Sequence, residues 1–190
     1  MLLVLLKGTN STASSGSSKF NYDQVFDSDS QQSLIYERAV KPIVEGVMEG
    51  FNGTVFAYGQ TSSGKTHTML GPGVGNFDDE AERGMIPRMV SHIFEEMAMA
   101  DQDIEFTVKV SMIEIYMEKV HDLINPSAQN LKIREEKGKG VFIENVTEIY
   151  VSDEGEVYRL MIEGNQNRSI GATDMNARSS RSHTCFIVTV

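Results

Sequence analysis

The chain has 190 residues, 40% hydrophobic and 23% charged, which is the make-up of one soluble globular domain with a packed core. Its net charge of −10 argues against a general binder of nucleic acid or acidic membrane, which would carry an overall basic surface. The single cysteine, Cys185, excludes an internal disulfide, fits a reducing compartment and lies in an apolar run suited to core packing.

Leu2–Leu6 is an apolar run too short to span a bilayer, and it lacks the basic start and long core of a signal peptide. From Asn10 to Ser18 the chain is mostly Ser, Thr, Gly and Ala, the composition of a flexible linker, so residues 1–18 read as a flexible N-terminal segment. Phe20 to Phe26 suits a short strand. Ser30 to Glu49 carries apolar residues at threes and fours (Leu34, Ile35, Val40, Ile43, Val44, Val47, Met48), a helix that Pro42 should kink or restart. Phe51-Asn52-Gly53 makes a turn.

Thr54-Val55-Phe56-Ala57-Tyr58 then predicts a buried strand, and it leads into Gly59-Gln60-Thr61-Ser62-Ser63-Gly64-Lys65-Thr66. These eight residues read G-x-x-x-x-G-K-T, the P-loop pattern. Gly59 and Gly64 allow backbone conformations that a side chain forbids, so successive N–H groups can wrap a phosphate. A helix starting at about Lys65 adds its first-turn N–H groups and the positive end of its dipole. Lys65 is placed to reach the β/γ-phosphates and Thr66 to give its hydroxyl to Mg²⁺.

Leu70–Gly84 is a glycine-rich acidic loop. Met85-Ile86-Pro87 opens a helix with the stripe Ile86, Met89, Val90, Ile93, Phe94, Met97. Ile104 to Met112 alternates as a strand that continues towards Met117, and Val120–Ile124 reads as a short helical piece. Leu131–Arg134 and Val141–Ile143 form a hairpin around Glu135–Gly140, whose Lys132, Arg134, Lys137 and Lys139 are the chain's only dense basic patch. Ser152 is placed to cap a helix carrying Val157, Leu160 and Met161, and Thr184–Val190 is a strand. Just before it, Asn176-Ala177-Arg178-Ser179-Ser180-Arg181-Ser182-His183 gathers hydroxyls, an amide and two guanidiniums. Alone this is a polar loop. Beside a P-loop, it can sense a γ-phosphate and place water, since phosphoryl transfer depends mainly on positioning and electrostatics.

These motifs carry a family resemblance. Phe51–Tyr58 followed by Gly59–Thr66 and His67-Thr68-Met69 resembles the P-loop region of the kinesin motor domain. Asn176-x-x-Ser179-Ser180-Arg181-Ser182-His183 matches the family's switch I motif, and Gly84–Arg88 and Glu114-Ile115-Tyr116-x-x-Lys119-x-x-Asp122-Leu123 match two further stretches. The wording is nearest to conventional kinesin heavy chains and covers about residues 20–190. The resemblance implies an α/β P-loop fold, with a central mixed sheet and helices on both faces, and residues 19–190 as a partial motor domain.

The resemblance also implies ATP hydrolysis coupled to movement along microtubules, with ATP/ADP and Mg²⁺ as cofactors. Gly59, Gln60, Thr61, Ser62, Ser63, Gly64, Lys65 and Thr66 would hold the phosphates, with His67 near the adenine. Thr66 and Ser179 would serve the Mg²⁺ shell, Ser180 the γ-phosphate and Asn176 the attacking water. Arg181 would pair with a switch II glutamate. The segment matching Leu131–Ile143 faces tubulin in the family, which makes Lys119, Arg134, Lys137 and Lys139 candidate microtubule contacts. Expected partners are therefore microtubules, without nucleic acid or membrane, in the cytoplasm and on the cytoskeleton. Dimerisation would fall to stalk regions outside this chain.

Two departures from the family pattern stand out. No R-x-R-P precedes Phe20, and the chain stops at Val190 where the family continues into the switch II segment D-L-A-G-S-E, so the expectation is a motor-domain fragment truncated before switch II. The alternatives are a non-catalytic nucleotide- or microtubule-binding fragment, or another P-loop NTPase. A GTPase would carry a guanine-reading N-K-x-D, and none is present.

Overall fold

The computed structural model describes residues 2–4, 11–15, 18–73, 75, 77, 79–138, 140–170 and 181–190. It divides into two compact units, Met1–Ala98 and Met99–Val190.

In the first unit, strand β1 (Leu2–Val4) pairs antiparallel with β4 (Gln24–Phe26), and β2 (Ser11–Ser15) pairs with β3 (Ser18–Tyr22). The composition of residues 10–18 suggests a linker, but Ser11–Ser15 finds a strand partner there. Ser and Thr are compatible with strand geometry once a neighbour supplies the hydrogen bonds.

The next helical stretch is α1 (Gln32–Ile35), a π-turn over Tyr36–Val40, and α2 (Lys41–Met48). The predicted effect of Pro42 takes this form. The Lys41 N–H reaches back to the Tyr36 carbonyl, which widens the helix by one residue. Pro42 then falls in the first turn of α2, where its missing N–H is not needed. Ile35, Tyr36, Ala39, Val40 and Val44 form the buried stripe. Gly50 ends α2 at φ 96°, with Gly50 N–H bonded to Val47 O (2.9 Å) and Phe51 N–H to Gly46 O (2.9 Å). A Cβ at Gly50 meets nothing within 4 Å, so Gly50→Ala carries the left-handed penalty alone. Urea unfolding should show a loss of about 1–2 kcal/mol.

The buried strand expected at Thr54–Tyr58 is not present. The segment is irregular, with Phe56 74% and Tyr58 92% exposed. A buried strand needs hydrogen-bonding neighbours, and among the described residues no strand pairs with this one. Helix α3 (Lys65–Leu70) follows the glycine-rich loop, and α4 (Met85–Met99) buries Met85, Pro87, Val90, Ser91, His92 and Ile93. Tyr36 and His92 join the α1–α2 stretch to α4, with Tyr36 Oη 2.8 Å from His92 Nδ1 and the rings in an edge contact at 6.1 Å. Burial raises the Tyr36 hydroxyl pKa well above its ordinary value, so it stays protonated.

In the second unit the central strand is β5 (Val108–Tyr116). It begins four residues after the predicted start at Ile104, which is 53% exposed. One edge pairs along its length with β11 (Ser182–Thr189). The other edge pairs with β10 (Ile149–Val151) at its start and β6 (Lys119–Asp122) at its end, and β7 (Gln129–Leu131) lies beside β6. All described pairings are antiparallel. With both edges covered, β5 is buried on both faces from Val110 to Glu114.

Val120–Asp122 is therefore strand, where the sequence suggested helix. Met117 (φ 50°) and Glu118 (φ 60°) turn the chain back in a two-residue hairpin. The predicted basic hairpin is present as β8 (Ile133–Glu136) and β9 (Gly140–Ile143). Helix α5 (Glu154–Ile170) packs on β5 and β10 and buries Val157 and Met161. Its cap is one residue later than expected: Asp153 Oδ1 accepts the Glu156 N–H (2.8 Å), while the Ser152 N–H bonds back to Glu156 Oε2 (2.8 Å). Cys185 lies half-buried on β11, and burial pushes its thiol pKa up, in keeping with a packing role.

Candidate functional site

The Gly59–Thr66 loop is exposed and tightly turned. Ser63 N–H bonds to Gln60 O (3.3 Å), Ser62 has φ 64°, and Gly64 at φ 90° precedes α3 in the left-handed conformation its missing side chain permits. No side chain caps α3, so its first-turn N–H groups face the loop. Lys65 folds back over the loop, its Nζ donating to Gly59 O and Gln60 O, both at 2.7 Å. An ammonium is thus held at the mouth of a loop bounded by a helix N-terminus. That arrangement suits a polyphosphate. Thr66, exposed in the first turn, offers a hard hydroxyl oxygen of the kind that Mg²⁺ accepts.

His67 is held from the helix before the loop. Gln32 Nε2 donates to His67 O (2.8 Å) and lies 3.2 Å from His67 Nδ1. His67 Nε2 lies 3.9 Å from Glu82 Oε2. Gln32 was not anticipated from the sequence, yet it is 7% exposed. It sits three and four residues before Ile35 and Tyr36, so a polar residue on an otherwise apolar helix face was the available clue.

Of the second constellation, Asn176, Ser179 and Ser180 lie outside the described residues. Arg181 is exposed, and Ser182 and His183 begin β11. Of the basic candidates, Lys119 is exposed at the start of β6, and Arg134 and Lys137 are exposed on and beside β8, while Lys139 lies outside the described residues. Arg134 is bound across its hairpin to Glu144, with Nη2 at 3.1 Å from Oε2. Among the described residues, no helix is long and apolar enough to cross a membrane.

A glycine-rich G-x-x-x-x-G-K-T loop at the head of a helix, on an α/β frame, is the pattern of P-loop nucleotide-binding proteins. The chain belongs to the kinesin family: the family description "Kinesin motor domain" matches residues 5–190. It is 50% identical over 171 residues to a kinesin heavy chain of Syncephalastrum racemosum, covering 90% of this chain and 18% of that one. It is 43% identical over 174 residues to the human kinesin-1 heavy chain, covering 92% of this chain and 18% of that one. A solved fast kinesin, in work on ATPase mechanism and interactions with microtubules, matches at 43% identity and TM-score 0.86 over 99% of this chain and 53% of that one. The chain thus spans about a fifth of these heavy chains and about half of the solved chain. The fold is that of the kinesin motor domain, an α/β P-loop fold, and membership of this family implies nucleotide binding.

Proposed function

We propose that this chain is the nucleotide-binding part of an ATP-dependent microtubule motor, with ATP/ADP and Mg²⁺ as its cofactors. The observation that carries this reading is Lys65, whose ammonium rests 2.7 Å from two loop carbonyls at the uncapped start of α3. Exchanging those carbonyls for phosphate oxygens costs little on an exposed loop, and it gains charge-assisted bonds. Bound Mg²⁺ would neutralise phosphate charge during transfer, with Thr66, and Ser179 from the switch I motif, as the chain's hydroxyl ligands. Asn176 and Ser180 would place the water and the γ-phosphate, and Arg181 would pair with a glutamate beyond this chain. His67, fixed by Gln32, would flank the base.

Lys119, Arg134 and Lys137, with Lys139, would face the acidic surface of tubulin, a local cationic edge on a body of net charge −10. The working location would be the microtubule cytoskeleton of the cytoplasm.

Calorimetric titration with Mg·ADP tests the nucleotide half. Binding at about micromolar strength (~−8 kcal/mol) is expected, and absence of heat from a folded chain would count against it. Microtubule co-sedimentation tests the other half. Lys137→Glu should weaken binding about two- to fivefold in low salt, the worth of an exposed charge. The difference should shrink as salt rises. Equal binding by both proteins at low salt would remove the hairpin from the interface.

A further inference from the structure

Asp122 ends β6 and is 2% exposed. Its two carboxylate oxygens hold different parts of the chain. Oδ1 accepts the N–H groups of Ile124 and Asn125, both at 2.9 Å. Oδ2 accepts the N–H of Thr147 at 2.7 Å. Ile124–Asn125 is where the chain turns out of β6, and Thr147 is where it returns towards β10. Between them lie β7 and the β8–β9 hairpin with Arg134 and Lys137. One buried carboxylate therefore ties both ends of this stretch, alongside the pairing of β7 with β6. Asn167 of α5 adds a further tie, donating from Nδ2 to Leu123 O at 2.7 Å.

We propose that Asp122 is a positioning residue for filament binding. It clamps both ends of residues 123–147 and so presents the hairpin cations as one preorganised surface to an acidic protein filament. The inference rests on the proposed reading of the hairpin as the tubulin-facing element. A clamped excursion has already lost the entropy of bringing its ends together, so docking need not supply it. An unclamped one must be ordered at the moment of binding, and its affinity falls.

The charge effect runs the other way, which makes the test sharp. Removing Asp122 takes a negative charge off an acidic protein, so electrostatics alone would strengthen attachment to an acidic surface. Asp122→Ala should instead weaken microtubule co-sedimentation about three- to tenfold, the cost of reordering a few immobilised groups. Mg·ADP affinity should stay within about twofold of wild type, because a fold-intact variant keeps its P-loop. Asp122→Asn is the gentler variant. Its amide oxygen can keep the Ile124 and Asn125 bonds, while its NH₂ faces the Thr147 N–H, so only the returning end is released. Amide hydrogen exchange reads the clamp without nucleotide or filament. Exchange at Thr147 should accelerate at least tenfold in both variants, and at Ile124 and Asn125 only in Asp122→Ala.

Unchanged exchange at all three amides would overturn the clamp. Faster exchange with undiminished filament binding would overturn the positioning role. Wild-type protein that fails to sediment with microtubules would overturn the proposed hairpin reading and the positioning role with it, and the exchange data would still decide the clamp.

Discussion

Lys65→Ala should lower the affinity for Mg·ADP about 30- to 150-fold, the loss of about 2–3 kcal/mol carried by a hydrogen bond to a charged group. Its melting temperature should stay within about 2 °C of wild type. The two effects separate because of where the ammonium sits. Its partners are the carbonyls of Gly59 and Gln60, both on exposed loop backbone. When the side chain is removed, water takes over those acceptors at little cost. No core atom is lost, since α3 has no buried residue. A bound phosphate has no such substitute, because the loop's N–H groups are dipoles and Lys65 is the full charge in the motif. Calorimetry with Mg·ADP and a thermal melt on the same samples check both halves. Retained affinity would sink the P-loop assignment, and a collapse in melting temperature would mean that Lys65 is structural instead.

How much of this could be read from the chain depends on how local each cause is. The P-loop was legible in eight residues because its pattern encodes backbone geometry directly: Gly64 sits at φ 90° at the start of α3, where the pattern requires it. Pro42 announced its break in the same local way. The strand expected before the loop failed for the opposite reason. Val55, Phe56 and Tyr58 have strand-like side chains, but a buried strand is made by its neighbours, and none pairs here among the described residues. β6 was misread because Met117-Glu118 lacks the Asn-Gly signature of a two-residue hairpin, although both residues adopt positive φ. Gln32 drew no role from the sequence because its partner His67 lies far along the chain, and Asp122, though quoted in a matched stretch, drew none because the bond that reaches Thr147 is long-range. A polar residue on an apolar helix face or at a strand end marks such a site, but the sequence does not name the partner.

The largest stability loss is expected at Glu114, on the central strand β5. Its carboxylate is 1% exposed, and Arg168 Nε on the last turns of α5 lies 3.4 Å from Oε1. Arg168 also donates from Nη2 to Ser182 Oγ at 3.1 Å, so it ties the end of α5 to the start of β11. Glu114→Met leaves a half-buried guanidinium without this carboxylate, and arginine cannot shed its charge to escape. The expected loss is about 3–5 kcal/mol, or about 6–20 °C in melting temperature for a chain of this size. Glu114→Met combined with Arg168→Met should be less destabilised than the Glu114→Met single variant, because the double change leaves neither charge without the other. Urea unfolding of the four proteins gives the coupling energy directly. A coupling above about 1 kcal/mol identifies the pair as one unit, and strict additivity within about 0.5 kcal/mol would show that the two charges are held by other neighbours. The ion pair need not raise net stability to earn its place. A fully apolar version could be as stable, but it would lose the link through which Ser182, inside the motif, is held against α5.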